Sequence, residues 1–279
     1  MLNKLKISVA ADNLAAGTFL GEHGLSFVVR TEHGTILFDT GQGGVLEHNL
    51  RELACSPEEV DCLVLSHGHY DHTGGIEYLA GQLQADTRFF LHPAALAAKF
   101  AKVPEGSKYI GIAPEAREFL ESRRERVIYT ENPTEIFPDV YVTGQVPRVH
   151  RIENRSTRFY LDNERTEHDT MQDDQALFFR TAQGVVVLLG CCHAGLANTL
   201  DCIANLAGTE DIHAVIGGTH LRSASSEQLD FAASVLEKHK VKVFAPCHCS
   251  GVKSSAYLYS KNPAIFAECH AGAGFTFKL

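Results

Sequence analysis

The sequence predicts an α/β protein in which sheets are covered by helices, and three observations carry that prediction. Short apolar segments of strand length recur from one end of the chain to the other. Amphipathic segments of helical period fall between them. Of the 279 residues, 44% are hydrophobic, enough to fill a sizeable core. The strand-like segments are residues 6–10, 25–30, 35–38, 62–66, 88–91, 140–143, 176–180, 185–189, 213–216, 241–245 and 275–279. Helical patterns cover residues 44–53, 76–83, 93–102, 114–126, 196–206 and 227–239. Neither an internal repeat nor a Pro- or Ser-rich linker divides the chain, so residues 1–279 are expected to form a single domain. Residues 145–174 stand apart: polar, mixed in charge and long for a connection, they are expected to form a loop or lid with a functional role.

Composition excludes several classes of function. A formal net charge of −9 argues against a nucleic-acid binder, which needs a basic face to displace counterions. The longest apolar run, residues 184–190, is far below the ~20 residues of a membrane span. Met1 to Lys6 lead straight into a strand without the apolar core of a signal peptide. Eight cysteines in such a chain, several clustered as Cys191-Cys192 and Cys247-His248-Cys249, read as reduced thiols. A cytoplasmic protein acting on a small molecule, with no nucleic-acid or membrane partner, is the expectation; the oligomeric state is left open.

The chemistry concentrates after one strand. Cys62-Leu63-Val64-Leu65 is an apolar run, and Ser66-His67-Gly68-His69-Tyr70-Asp71-His72 follows at once, so its side chains are displayed from a turn at the strand's end. Three imidazoles and a carboxylate within six residues have little packing rationale. His67 and His69 can converge on one metal, while Asp71 and His72 turn to a second position a few ångströms away. Asp39, in Leu37-Phe38-Asp39-Thr40-Gly41, ends another strand and is either a hydrogen-bond partner of the histidine loop or a turn cap.

His67-Gly68-His69-Tyr70-Asp71-His72 resembles the HxHxDH signature of the metallo-β-lactamase superfamily, and Phe38-Asp39-Thr40-Gly41 resembles its preceding Asp-Gly motif. The resemblance implies a four-layer αββα sandwich with metals at one edge between two sheets. A narrower likeness runs over nearly the whole chain: Asp12-Asn13, residues 65–75 and 143–148, Asp173-Asp174-Gln175, Gly190-Cys191-Cys192-His193, Gly217-Gly218-Thr219-His220 and Pro246-Cys247-His248-Cys249. These look like the subfamily related to 7,8-dihydropterin-6-methyl-4-(β-D-ribofuranosyl)aminobenzene-5′-phosphate synthase, many bacterial members of which are known only as predicted metal-dependent hydrolases.

Further ligands are expected from later strand ends. His193 and His220 each follow an apolar strand through glycine, as His67 does. The expected assignment is His67, His69 and His193 to a first metal and Asp71, His72 and His220 to a second. Both ions are divalent; zinc is preferred, with manganese and iron as alternatives. The superfamily places an aspartate where this chain has Cys191, so the thiol is either a ligand or an inert cysteine, and Asp173 or Asp174 is an alternative donor. His248 is expected as a donor to substrate. Arg148 is expected as a phosphate- or carboxylate-binding cation, while Arg151, Arg155, Arg158 and Arg165 read as solvated. The leading expectation is metal-assisted hydrolysis of an ester, phosphoester or related bond in a small anionic substrate, with Asp71 handling the proton of the attacking water. The alternatives are transfer of a dihydropterin-methyl group with release of diphosphate, and a non-catalytic metal-containing ligand-binding protein.

Overall fold

A computed structural model describes residues 1–153 and 158–278. In chain order its strands are β1 Lys4–Ala11, β2 Ser26–Thr31, β3 Gly34–Phe38, β4 Cys62–Val64, β5 Arg88–Leu91, β6 Phe100–Val103, β7 Gly106–Tyr109 and β8 Val127–Tyr129. They continue with β9 Thr134–Phe137, β10 Val140–Val142, β11 Phe159–Tyr160, β12 Ala176–Thr181, β13 Gly184–Leu189, β14 Ile212–Gly218, β15 Val243–Cys247 and β16 Gly274–Lys278. The helices are α1 Leu46–Glu52, α2 Tyr70–Thr73, α3 Ile76–Leu79, α4 Pro114–Ser122, α5 Leu196–Ala207, α6 Ser226–Lys238 and α7 Val252–Lys261.

One sheet runs β16-β1-β2-β3-β4-β5-β8 and a second runs β15-β14-β13-β12-β10-β9. Their inner faces meet in a core that includes Ile7, Phe27, Phe38, Val64, Phe179, Val186 and Ile216. The outer face of the first sheet packs on α1, α3 and α4 through Leu37, Leu63, Leu50, Leu79 and Leu120. That of the second packs on α5, α6 and α7 through Val187, Val215, Leu200, Leu236 and Leu258. The layers are therefore helix, sheet, sheet, helix, the αββα sandwich. Apolar side chains on both faces of β4 and β13 require cover on both sides, which is why these strands read as unbroken apolar runs.

Topology places the site. β3, β4 and β5 are parallel in the first sheet, and β13, β14 and β15 are parallel in the second. Gln175 ties the two groups of strand ends together: its backbone N–H donates to the Ser66 carbonyl at 3.0 Å and its Nε2 to the Leu65 carbonyl at 2.8 Å.

Residues 93–102 depart from expectation. Instead of one helix they form a 3-10 turn, Pro93–Leu96, followed by strand β6. Helix propensity in the alanine-rich stretch loses to tertiary pairing, because β6 lies between β7 and β11 in a third, three-stranded sheet. The segment 145–174 supplies β11 and a 3-10 turn, Arg151–Glu153, so it carries more order than a plain loop. The sequence pattern does not predict strands β7, β8 and β9 or helix α7. Arg155 and Leu279, the last residue of the predicted strand 275–279, lie outside the described residues.

Candidate metal centre

Nine donor side chains meet at the shared edge of the two sheets: His67, His69, Asp71 and His72 after β4, Cys191 and His193 after β13, His220 after β14, and His248 and Cys249 after β15. Among the described residues they form five overlapping triplets whose ligand atoms lie within 4.8 Å of one another. His67, His69 and His193 make one, as the sequence reading grouped them. Asp71 and His72 are joined by His248, whereas His220 stands with Cys191 and His193. The remaining two are His67, His72 and Cys191, and Cys191, His248 and Cys249.

Hydrogen bonds orient the rings. Ser66 Oγ lies 2.6 Å from Asp39 Oδ2 and 2.9 Å from His67 Nδ1. A carboxylate only accepts, so the serine donates to Asp39 and accepts from His67 Nδ1–H, which leaves His67 Nε2 with its lone pair directed at the cluster. The same Asp39 oxygen accepts from His72 Nδ1 at 2.7 Å, turning His72 Nε2 toward Cys191 Sγ at 3.2 Å. Asp39 thus orients the histidine loop through two rings, with its other oxygen on the Ser66 N–H at 2.7 Å. His248 is set similarly: its N–H donates to Asp12 Oδ1 at 2.8 Å and its Nδ1 to Asn13 Oδ1 at 2.8 Å. His248 Nε2 then faces Asp71 Oδ2 at 3.6 Å, carrying a lone pair. The ring thus stands in one donor triplet with Asp71 and His72, where the sequence suggested a donor to substrate.

Behind the loop lies a buried ionic cluster. Lys99 is fully enclosed, and its Nζ donates to Asp169 Oδ2 at 2.7 Å and Asp173 Oδ1 at 3.0 Å. Burial opposes its charge, but the two carboxylates outweigh that and raise its pKa. Asp173 Oδ2 accepts the Gly68 N–H at 2.8 Å, and a side chain at Gly68 would strike the Ala95 carbonyl, so only glycine fits between the two histidines. Asp174 accepts the Ala194 N–H at 2.7 Å; burial pushes its pKa to about 6. Both aspartates brace the backbone and belong to none of the donor triplets, while Asp174 Oδ1 is buried without a hydrogen-bond partner among the described residues. Arg148, exposed, donates from its guanidinium to the carbonyls of His193 at 2.9 Å and Met171 at 3.3 Å, which ties it to the loop that carries His193.

The donor set fits a divalent metal. Burial holds His67, His69, His193 and His248 neutral, with pKa values well below the usual range. Neutral rings crowd one another, with His67 Nε2 2.9 Å from His69 Nδ1 and 3.3 Å from His193 Nε2. His69 Nε2 and His193 Nδ1 are buried without a hydrogen-bond partner among the described residues. Unsatisfied buried nitrogens of this kind cost about 1–3 kcal/mol each, and a metal-ligating cluster is a setting in which folds retain them. Burial also opposes charge on His72, yet Asp39 and Asp71 raise its pKa to about 9.

The mouth of the site is framed by residues the sequence reading did not select. Phe159 of β11, within segment 145–174, places its ring 5.0 Å from that of His69 and 5.5 Å from that of His193. His23 Nδ1 lies 3.5 Å from Asp71 Oδ2, and Lys108 Nζ sits 4.9 Å above the Tyr70 ring. Lys99 and Cys249 were also missed, although Cys249 belongs to a cysteine and histidine triplet visible in the sequence.

The chain belongs to the metallo-β-lactamase superfamily, whose family model matches residues 20–151. It is similar to 7,8-dihydropterin-6-methyl-4-(β-D-ribofuranosyl)-aminobenzene-5′-phosphate synthase of Methanocaldococcus jannaschii, with 28% identity covering 97% of this chain and 96% of the relative. An uncharacterized protein of the same organism is 32% identical, covering 94% of this chain and 97% of the relative. Among solved structures, a metal-dependent hydrolase of the beta-lactamase superfamily superposes with a TM-score of 0.79 at 28% identity, covering 99% of this chain and all of that one. The fold implies binding of divalent metal, and the histidine and aspartate clusters supply the means.

Proposed function

We propose that this protein is a metal-dependent hydrolase that cleaves an ester, phosphoester or related bond in a small anionic substrate. The observation that carries the reading is the convergence of His67, His69 and His193 beside Asp71, His72 and His248, with Asp71 next to the exposed His23. Two divalent ions bound there supply Lewis acidity and lower the pKa of a water toward about 7. Asp71, with His23 and His248 on either side, orients the attacking water and takes its proton. Phe159 keeps bulk solvent from His69 and His193. Lys108, exposed beside Tyr70, gives the rim its local positive charge in an otherwise acidic chain and attracts the substrate's anionic group.

Protein purified without added metal, analysed for metal content and assayed on a panel of esters and phosphoesters before and after chelation, tests this. Turnover that is lost on chelation and restored by metal is expected; absence of turnover across the panel with metal bound would refute it. The similarity to the synthase supports a second reading, group transfer with release of diphosphate. Diphosphate release that requires an aromatic amine acceptor would favour transfer over hydrolysis.

A further inference from the structure

We infer that Cys191 supplies a thiolate ligand at the centre of the metal site, joining the donor groups on either side of it, so that the site selects thiophilic metals. The inference rests on the metal-centre reading above and concerns only which atom completes it. Three features carry it.

The first is position. Cys191 belongs to three of the five donor triplets and shares them with His67, His72, His193, His220, His248 and Cys249, a wider reach than any other donor has. Its Sγ lies 3.2 Å from His72 Nε2, the nitrogen that Asp39 has turned inward. The second is fixation. Gly190 packs so closely on Ser66 that a Cβ there would collide with the serine side chain, which pins the backbone of the next residue against the histidine loop. Of the neighbouring thiols, Cys192 belongs to no donor triplet and Cys249 to one, against three for Cys191. Cys192 turns into the core beside Leu196 and meets Thr199 Oγ1 at 3.4 Å, while Cys249 donates to the Cys191 carbonyl at 3.3 Å and accepts the His220 N–H at 3.2 Å. The third is charge. Asp173 is held by Lys99 and the Gly68 N–H, Asp174 Oδ2 by the Ala194 N–H, and neither belongs to a donor triplet, so Asp71 is the one carboxylate in them. A thiolate at Cys191 gives the cations a second anionic ligand at the centre.

Coordination replaces the S–H bond by a sulfur–metal bond and releases one proton to solvent per thiol. Thiolate ligands favour zinc or ferrous iron, whereas manganese prefers oxygen donors. Titrating metal-free protein with Co²⁺ reads this without any activity assay, because a thiolate ligand to cobalt gives a near-ultraviolet charge-transfer band. The band is expected in the unmodified protein and in Cys192→Ser and Cys247→Ser, and it should vanish in Cys191→Ser. Cys191→Asp provides a second variant that keeps an anionic ligand: it should retain bound cobalt without the band even where the serine variant fails to fold. Cobalt bound to unmodified protein without the band, or a band that persists in Cys191→Ser or Cys191→Asp, overturns the assignment. A band lost in Cys249→Ser and kept in both Cys191 variants also overturns it and moves the ligand to Cys249. Failure of unmodified protein to bind cobalt at all removes the metal-centre reading, and this inference falls with it.

Discussion

In the amino-terminal half, four donors leave the backbone within six residues after β4: His67, His69, Asp71 and His72. In the carboxy-terminal half, five donors leave it after three different strands: Cys191, His193, His220, His248 and Cys249. The first group is held by side-chain wiring, with Asp39 on two rings and Asp173 and Lys99 behind Gly68. The second relies more on backbone conformation: Cys192, His220 and His248 occupy left-handed positions with φ of 58°, 52° and 51°. Each such non-glycine position costs of order 1–3 kcal/mol and persists where its surroundings enforce it. Hydrogen bonds serve both halves, but the left-handed backbone lies mostly in the second, with Asp39 at φ 59° its counterpart in the first.

The largest effects should come from removing donors of the wired half. Asp71→Ala and His69→Ala are each expected to reduce bound metal and to lower turnover by ~10²-fold or more, measured by elemental analysis and steady-state kinetics. Full activity in either would break the central reading. Next in size, Asp39→Ala frees two rings at once and should weaken metal binding by ~10–100-fold with the donors themselves intact; an unchanged titration would show that the wiring is dispensable. Lys99→Met leaves Asp169 and Asp173 buried without their cation and should cost about 3–5 kcal/mol of stability in chemical denaturation. Retained stability would make that cluster incidental to the half it braces.

Protonation gives a smaller effect. In metal-free protein, His67, His69, His193 and His248 have folded pKa values held down by burial. Below the usual histidine range the unfolded chain therefore binds more protons, and stability should fall as pH drops below about 6.5. His72 titrates in the opposite sense: its contribution is present below 6.5 and lost as pH rises through about 9. Asp174, raised to about 6, and Asp12, also raised by burial, favour the folded state as pH falls further, two carboxyls against four histidines. Melting temperatures of metal-free protein that rise on acidification would contradict this balance. Smallest of all, Arg148→Ala should cost about 1 kcal/mol or less, since its two bonds are to carbonyls from an exposed side chain.

The same contrast governs what could be read from the sequence. The wired half is contiguous, so His67 to His72 and the end of β3 at Asp39 were legible as a site, and unbroken apolar runs marked β4 and β13. The αββα layering followed from those motifs. Pairing His248, rather than His220, with Asp71 and His72 depends on how far the chain travels after β14 and β15, which local pattern does not encode. Lys99 was hidden inside an alanine-rich segment whose helical propensity is overruled by pairing with β7 and β11. Its partners Asp169 and Asp173 lie 70 and 74 residues away.

Asp39 is shared by two rings, and that has a consequence for how substitutions combine. Ser66→Ala should loosen His67 alone, whereas Asp39→Ala already releases both His67 and His72. Adding Ser66→Ala to Asp39→Ala would then do little more, so the pair is non-additive and the order in which the two changes are acquired decides how severe each looks.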